Sequence, residues 1–217
     1  MSDIFHEVDE EVRRERLKQL WDRHSNLIVA AALAVVLAVA GWRGYDWWET
    51  KKSAEAGVAF EAAVALAEAG KPAEAQAAFA KLAKEGSSGY RILAGFREAA
   101  ELAKADPAAA VKAYDVLAAD SSLGRPLQDL ATVRAGLILV DTAPLAELTT
   151  RLEPLTAPNG TFRHTARELL ALAAWRTGDQ AAAKRWFDVI ATDAETPAGT
   201  RQRMDVLMTL TSKARTS

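Results

Sequence analysis

The side chains that could carry out chemistry are few in this sequence and stand far apart. His6 and His24 lie near the N-terminus, and His164 has no second ligand at metal-binding spacing. Cysteine is absent, which removes thiolate catalysis, disulfides and cysteine-based zinc sites. His164 also lacks a nucleophile that it could activate as a base. The sequence therefore predicts no catalytic residue, no metal site and no cofactor.

Pairs of carboxylates occur, but their positions favour solvated helix faces and ends over acid–base catalysis. Glu98 and Glu101 are one turn apart on a predicted helix, and Asp193 and Glu195 lie just after another. The glycine-containing stretch at residues 86–89 lacks the lysine of a phosphate-binding loop. We therefore expect a protein that is not an enzyme and has no small-molecule substrate.

The elements that carry these residues are predicted to be helices throughout. Half of the residues are apolar and only 7% are aromatic, and the mixture of alanine, leucine, glutamate, lysine and arginine favours helix at nearly every position. Residues 49–217 contain 21 basic and 21 acidic residues. Because nucleic-acid binding needs a basic surface, this balance argues against a nucleic-acid partner.

One segment near the N-terminus is apolar enough to cross a bilayer. No side chain between Arg23 and Arg43 carries a full charge apart from partly protonated His24, and residues 27–41 are unbroken apolar sequence. Aromatic and basic residues flank this run, as they do where a helix leaves the hydrocarbon. We predict a transmembrane helix with its aromatic flank at residues 25–48. Its membrane-interface anchors are Trp21, Trp42, Arg43, Tyr45, Trp47 and Trp48.

Two other interpretations of this segment stay open: a buried core helix, and a signal peptide cleaved near residues 38–40. The leader before it, residues 1–24, is amphipathic and rich in glutamate, unlike the short basic start of a signal peptide. The leader could also lie on the membrane or dock on a partner instead of only setting the orientation. Five basic residues precede the span closely and three follow it, which predicts a cytoplasmic leader and an extracytoplasmic domain at residues 49–217.

A motif recurs along residues 49–217. It consists of a tight turn, a helix start, an alanine five residues after the turn and an aromatic four residues later. Its turns begin at Gly70, Ala105 and Gly178, its alanines are Ala75, Ala110 and Ala183, and its aromatics are Phe79, Tyr114 and Phe187. The spacings between turns, 35 and 73 residues, correspond to one period and two. A degenerate unit is therefore expected near residue 142, with Arg151 and Leu152 at its aromatic position.

A period near 34 residues, with an alanine and an aromatic four apart, is the tetratricopeptide pattern. The alanine lets two helices approach closely, and the aromatic projects into the gap between neighbouring pairs. We therefore predict an all-α fold, in which a single transmembrane helix is followed by a tetratricopeptide-like α-solenoid of about four helix pairs plus a capping helix. The predicted repeat helices are 53–69, 72–85, 89–104, 107–119, 126–140, 144–154, 161–177, 180–192 and 198–213. The capping helix is expected to use Met204, Val206, Leu207 and Leu210.

Three aromatic residues in the fourth unit could line a groove for client proteins. They are Phe162, Trp175 and Trp186. Packing between helices is the alternative, because aromatic residues at helical spacing are normally part of the core.

Several features together are similar to one known family. They are the acidic leader, the junction Gly41-Trp42-Arg43, the turn Gly70-Lys71-Pro72, the pair Gly89-Tyr90, and the late unit with Gly178-Asp179 and Trp186-Phe187. In these features the chain resembles the YfgM-like ancillary subunits of the bacterial SecYEG translocon, which are tetratricopeptide-like proteins. The resemblance extends over nearly the whole chain.

The resemblance implies a location, partners and a function. It implies a single-pass protein of the bacterial inner membrane, with residues 49–217 in the periplasm. The implied partners are proteins: SecYEG, a membrane-bound periplasmic chaperone, and client proteins. The expected function is non-catalytic, chaperone-like assistance to protein export or periplasmic folding. The alternative is a tetratricopeptide adaptor for envelope or cell-division machinery with no chaperone role.

Overall fold

The computed structural model describes the backbone of residues 3–214. Side chains are described for residues 29–209 and for seven earlier positions, Glu15, Lys18, Trp21, His24, Ser25, Asn26 and Leu27. The chain divides into two compact units, Met1–Ala54 and Glu55–Ser217.

Nine α-helices and two short 3₁₀ turns make up residues 3–214, and this range contains no strand. The helices are α1 (Asp3–Glu68), α2 (Pro72–Glu85), α3 (Ser88–Ala105), α4 (Pro107–Ala119), α5 (Arg125–Leu139), α6 (Leu145–Leu152), α7 (Arg163–Arg176), α8 (Gln180–Thr192) and α9 (Ala198–Ala214). The 3₁₀ turns are Ser121–Leu123 and Glu153–Leu155. The all-α prediction is confirmed.

Helix α1 contains both the apolar segment and the first repeat helix, for which the sequence predicted separate helices at 25–48 and 53–69. The intervening residues 49–52, Glu-Thr-Lys-Lys, include neither glycine nor proline. Residues of these types continue a helix readily once it has started. The expected interruption is therefore absent, and both predicted segments belong to one element.

Within the unit Glu55–Ser217, the helices pack mainly on their neighbours in the chain, and α7 also contacts α5 and α9. The buried residues form three clusters that follow one another from the first pair to the last. Alanine is the commonest buried apolar residue, which permits close helix approach. A core divided in this way is typical of a solenoid. The prediction of four helix pairs and a capping helix is confirmed.

Two glycine turns end the first helices of the first and fourth pairs in the same way. Gly70 has φ +71° and Gly178 has φ +77°, values that an L side chain adopts only with strain. The N–H of Lys71 donates to the carbonyl of Leu66 at 3.0 Å, and the N–H of Asp179 donates to the carbonyl of Ala174 at 3.0 Å. Each turn thus satisfies helix-terminal carbonyls in a Schellman arrangement.

The second helices of the first, second and fourth pairs, α2, α4 and α8, begin with residues that favour a helix start. Pro72 and Pro107 stand at the first positions of α2 and α4, where the missing N–H has no intrahelical partner to lose. The Asp106 carboxylate accepts the N–H of Ala109 at 3.0 Å. The Asp179 carboxylate accepts the N–H of Ala182 at 2.9 Å. These caps fix where α4 and α8 begin.

The third pair is built differently, as its degenerate sequence suggests. Leu152 is fully buried and packs against Gly136, where an added Cβ would lie 2.9 Å from the Leu152 Cδ2 atom. Helix α6 ends at Leu152 and not at the predicted residue 154, because Pro154 cannot donate a helical hydrogen bond. Arg176 holds the loop between α5 and α6 by donating to the carbonyl oxygens of Val140, at 2.9 Å, and Ala143.

The capping helix α9 covers the fourth pair with only part of its apolar set. Met204 is 2% exposed and Leu207 packs against the same cluster, whereas Val206 is 56% exposed. Val206 therefore adds little to the cover, and it lines an open groove between α7 and α9. The side chain of Leu210 lies outside the described residues.

We predict opposite effects of alanine at two glycines of the repeat unit. Gly178→Ala should lower the free energy of unfolding by about 1–2 kcal/mol, because alanine is strained at positive φ. Gly89 lies inside α3 without positive φ, and a Cβ there meets no atom within 4 Å. Gly89→Ala should therefore raise that free energy by up to about 1 kcal/mol. Urea unfolding of residues 49–217, followed by circular dichroism, measures both; two changes of the same sign would contradict the assigned turn.

Candidate functional site

The apolar segment of the unit Met1–Ala54 has no protein cover. Its most apolar window has a mean hydropathy of 2.1 and none of it is buried; Leu33 is 56% exposed and Leu37 is 67% exposed. Among the described residues, one helix is long and apolar enough to cross a membrane, and this segment belongs to it. Apolar side chains exposed on every side of a helix are unfavourable in water and suited to hydrocarbon. Exposure of this extent does not fit a buried core helix.

The anchors predicted at the end of this segment are all exposed. Trp42 is 74% exposed, and the Tyr45 and Trp48 ring centroids are 6.2 Å apart. The Lys51 ammonium lies 5.6 Å from the centroid of the Trp47 ring, and the Lys52 ammonium lies 5.4 Å from that of Trp48. Arg43 is also exposed, and before the segment Trp21 is 55% exposed. The sequence analysis did not foresee the two lysine–tryptophan contacts.

The residues predicted to pack the repeats are deeply buried. Ala75 and Ala110 are 0% exposed, and Ala183 is 2% exposed. The aromatic partners of these alanines, Phe79, Tyr114 and Phe187, are at most 3% exposed. The Phe79 ring meets that of Phe60 edge-on with centroids 5.4 Å apart. The Tyr114 hydroxyl donates to the carbonyl oxygen of Phe96 at 3.4 Å, and burial raises the pKa of Tyr114.

The three residues predicted as a client groove have different surroundings. Trp186 is 5% exposed within the largest core cluster, under the guanidinium of Arg185 at 4.6 Å from the ring centroid. Phe162 is partly buried against the same cluster. Trp175 is 39% exposed and is not a member of that cluster. A client could reach Trp186 only after local rearrangement, so the groove made by these three residues stays a prediction.

A groove of about 720 Å³ lies elsewhere, between α3 and α4, and extends to the end of α2 and the turn Ser121–Leu123. Its apolar lining includes Ile92, Val116 and Leu117. Val116 is 71% exposed, although its neighbour Leu117 packs into the middle core cluster. An aliphatic side chain open to solvent beside a groove of this size is available to a partner.

Charged side chains of both signs border this groove. Arg91, Glu98 and Asp120 are part of its lining. Glu98 accepts a hydrogen bond from Gln76 at 3.4 Å. Hydrogen bonds from Ser122 lower the pKa of Asp120, and its carboxylate accepts the Ser122 N–H at 2.9 Å. An apolar floor with a mixed rim suits a protein segment that alternates apolar and polar side chains.

The groove was missed in the sequence, although a signal for it was present. Val116 lies two residues after Tyr114, and so away from the helix face on which Tyr114 packs. A valine off the packing face of a short helix is a sign of an exposed apolar surface. The residues of α3 that line the groove could not be predicted from the sequence, because their position depends on how the helix pairs are arranged.

A polar network joins the start of α7 to the loop before α9. The buried guanidinium of Arg167 donates twice to the carbonyl oxygen of Thr156, at 2.9 and 3.1 Å, and once to Asp193, at 2.6 Å. Arg163 donates to Asp193 at 3.4 Å and also pairs with Glu195. The Asp193 carboxylate further accepts the backbone N–H of Glu195 at 2.9 Å. The network satisfies a buried charge and fixes the loop.

Two of the paired acids correct the interpretation of these residues as solvated, since Asp193 is partly buried and Glu101 is buried, whereas Glu195 is exposed as expected. The backbone N–H of Glu195, with Arg167 and Arg163, lowers the pKa of Asp193 to about 2. Glu101 is 5% exposed, and one of its oxygens is 2.5 Å from the Lys104 ammonium. The Arg163 and Arg167 partners of Asp193 lie 30 and 26 residues away, so local spacing does not reveal them. Lys104 is one turn from Glu101, but the burial of Glu101 depends on how the helices pack.

The histidines show no arrangement for catalysis within the part of the chain that is described. The His164 Nδ1 atom is 3.5 Å from the Thr196 hydroxyl, and burial lowers the pKa of His164. The described residues include no cluster of three histidine, aspartate or glutamate side chains that could hold a metal ion. The side chain of His6 lies outside the described residues.

Comparison with protein families gives a match over most of the chain. A family model described as a tetratricopeptide repeat-like domain matches residues 18–204. The matched range begins before the apolar segment and ends within α9, so it includes this segment and all four helix pairs. Comparisons with curated proteins and with solved structures returned no match.

We predict that Asp193→Asn lowers stability in a pH-dependent way. The pKa of Asp193 falls from 3.8 to about 2 on folding, so its charge stabilises the fold above pH 3.8. That contribution decreases as the pH falls from 3.8 to about 2 and is lost below it. The difference in unfolding free energy between wild type and variant should therefore be largest near pH 7 and shrink towards pH 2. Urea titrations of residues 49–217 across this range test it; a difference that is constant with pH would contradict the assigned ion pairs.

Proposed function

Because this chain belongs to the tetratricopeptide repeat-like domain family, we propose that it is a membrane-anchored protein-interaction module that assists Sec-linked protein export or early periplasmic folding. The tetratricopeptide-like fold is a protein-interaction fold. The observation that carries the proposal is helix α1, which contains both an uncovered apolar segment and the first helix of the repeats. A binding domain is thereby tied covalently to a segment suited to a bilayer.

The family match supports an anchor that is kept in the working protein. The matched range starts at residue 18, ahead of the apolar segment, so the segment and the repeats are described together as one family unit. A signal peptide cleaved near residues 38–40 would separate them. The proposed organisation is a cytoplasmic leader at residues 1–24, a transmembrane helix at 25–48 and a periplasmic repeat domain at 49–217.

The groove between α3 and α4 is the proposed contact site for protein partners. Its exposed Val116, partly buried Leu117 and mixed charged rim suit a segment of another protein chain. The proposed partners are the SecYEG translocon, a periplasmic chaperone, and newly exported clients. Tethering to the membrane would raise the local concentration of the repeats near membrane-bound partners, a gain of roughly 10²–10⁴ in apparent affinity with no new contact.

We predict that the repeat domain is extracytoplasmic and the leader cytoplasmic. Protease added to spheroplasts should digest a C-terminal epitope while a leader epitope stays on a small membrane-bound fragment, because five basic residues before the span against three after it favour this orientation. Detergent lysis supplies the control, since it should expose both epitopes. Protection of the C-terminal epitope in intact spheroplasts would reverse the orientation, and a membrane fraction without the leader would show cleavage.

We also predict that Val116→Asp weakens partner contact without unfolding the domain. A carboxylate in the groove must be desolvated when an apolar segment binds, which costs affinity. Val58→Asp is the matched control, since Val58 is 74% exposed and Val116 is 71% exposed, and Val58 is not part of the groove lining. Crosslinking to translocating chains in inverted membrane vesicles should decrease about tenfold for Val116→Asp only.

The identity of the crosslinked proteins separates the proposed function from its alternative. Exported chains, translocon subunits or a chaperone support the export function. Capture of envelope or division proteins alone, with no exported chain, would favour the adaptor. If Val116→Asp and Val58→Asp reduce crosslinking equally, the groove is not the partner site.

A further inference from the structure

Two lysines beyond the apolar segment fold back onto tryptophans of the preceding turn. Lys51 lies over Trp47 and Lys52 over Trp48, with ammonium-to-centroid distances of 5.6 and 5.4 Å. Side chains on a helix lean towards its N-terminus, so each ammonium is carried back about one turn towards the apolar segment. Cation–π attraction favours this position over one extended into solvent.

Between residues 43 and 52 the charges are separated by sign around the helix. Arg43, Trp47 and Lys51 follow at four-residue spacing and share one face, with Trp48 and Lys52 forming a second row beside it. Asp46 and Glu49 fall on the opposite half of the helix at 3.6 residues per turn. In the sequence the first row ends in the opposite charge at Glu55. The side of the helix that carries Lys51 and Lys52 is therefore basic and aromatic between residues 43 and 52, and Arg43 lies at its edge.

The depth of this face matches the phosphate layer of a bilayer. Arg43 is the first charged residue after the apolar run. Trp47 and Trp48 follow it by about 6–7.5 Å along the helix axis, and the headgroup layer on each side of the hydrocarbon is about 5–7 Å thick. Lys51 and Lys52, drawn back to the level of the two tryptophans, therefore lie where lipid phosphates lie.

We propose that Lys51 and Lys52, held by Trp47 and Trp48, form a binding site for the phosphate groups of anionic phospholipids. This inference rests on the proposed function, since it requires the span to lie in a bilayer. The two ammonium groups complement a negative headgroup, and the indole rings lie in the same interfacial layer. A zwitterionic headgroup is bound less well because its own cation competes with the lysines for its phosphate. The site would give the anchor a preference for lipid type on the side of the repeats.

The test reconstitutes the full chain into phosphatidylcholine vesicles that contain a trace of spin-labelled lipid. The motionally restricted fraction of spin-labelled phosphatidylglycerol, relative to spin-labelled phosphatidylcholine, gives a relative association constant. Wild type should prefer the anionic lipid several-fold, and high salt should reduce the preference. Lys51→Gln with Lys52→Gln should remove most of this preference, because each basic residue near a membrane surface contributes about fivefold to anionic binding.

Three comparisons make the assignment specific. Lys81→Gln with Lys84→Gln removes the same charge from exposed positions on α2 and should leave the preference unchanged. Trp47→Leu with Trp48→Leu keeps the lysines but removes their rings, and should reduce the preference as well. Inorganic phosphate should act no more strongly than sodium chloride of equal ionic strength; stronger displacement would indicate a free-phosphate site and overturn the lipid assignment.

Flotation in alkaline carbonate separates failure of this inference from failure of the proposed function. A wild-type chain that floats with the vesicles but binds both lipids equally would overturn the lipid site alone. A chain that is extracted from the vesicles would overturn the anchor and the lipid site together. An equal loss of preference in the α2 control variant would also overturn the site, since it would show a diffuse effect of net charge.

Discussion

Each helix pair of the repeat unit leaves an apolar face that only the adjoining pair can cover, and the rest of the structure depends on this constraint. Buried alanines such as Ala75, Ala94 and Ala110 bring the helix backbones close, and an aromatic ring fills the space that remains beside them. Because the cover comes from the neighbour, the fold is propagated along the chain. Helix α9 ends the series by covering the last pair with Met204 and Leu207.

The features that could be predicted from the sequence are those whose cause is local. A glycine at positive φ, such as Gly70 or Gly178, marks a turn within a few residues, and a proline or aspartate beside it marks the next helix start. The four helix pairs and the capping helix were predicted from such turn and helix-start residues. The contacts of Leu152 with Gly136 and of Arg167 with Asp193 link distant positions, and no short spacing reveals them. The groove beside Val116 was hidden for the same reason, since α2, α3, α4 and the turn Ser121–Leu123 build it.

The degenerate third pair shows how a repeat persists without its usual residues. Leu152 replaces the missing aromatic, and Gly136 makes room for its branched side chain. Arg176, from the following pair, supplies to the loop between α5 and α6 the hydrogen bonds that a glycine turn supplies elsewhere. The sequence signal is thus lost where long-range contacts take over the function of local ones. Arg151 is a further example of a long-range contact in this pair. It forms an ion pair with Asp115 at the position where the other units have an aromatic ring.

Because the core is divided into three clusters, the repeat unit is not equally stable along its length. The middle cluster, which includes Ala99, Tyr114 and Ala131, is the smallest of the three, and Leu117 connects it to the groove. In a linear array of repeats, the stability of each region depends mainly on its own buried contacts. Local unfolding is therefore expected to cost least free energy where the fewest residues are buried. The groove proposed as the partner site therefore lies beside the smallest of the three core clusters. Plasticity at that point would let one scaffold accommodate dissimilar sequences while the ends of the array keep their register.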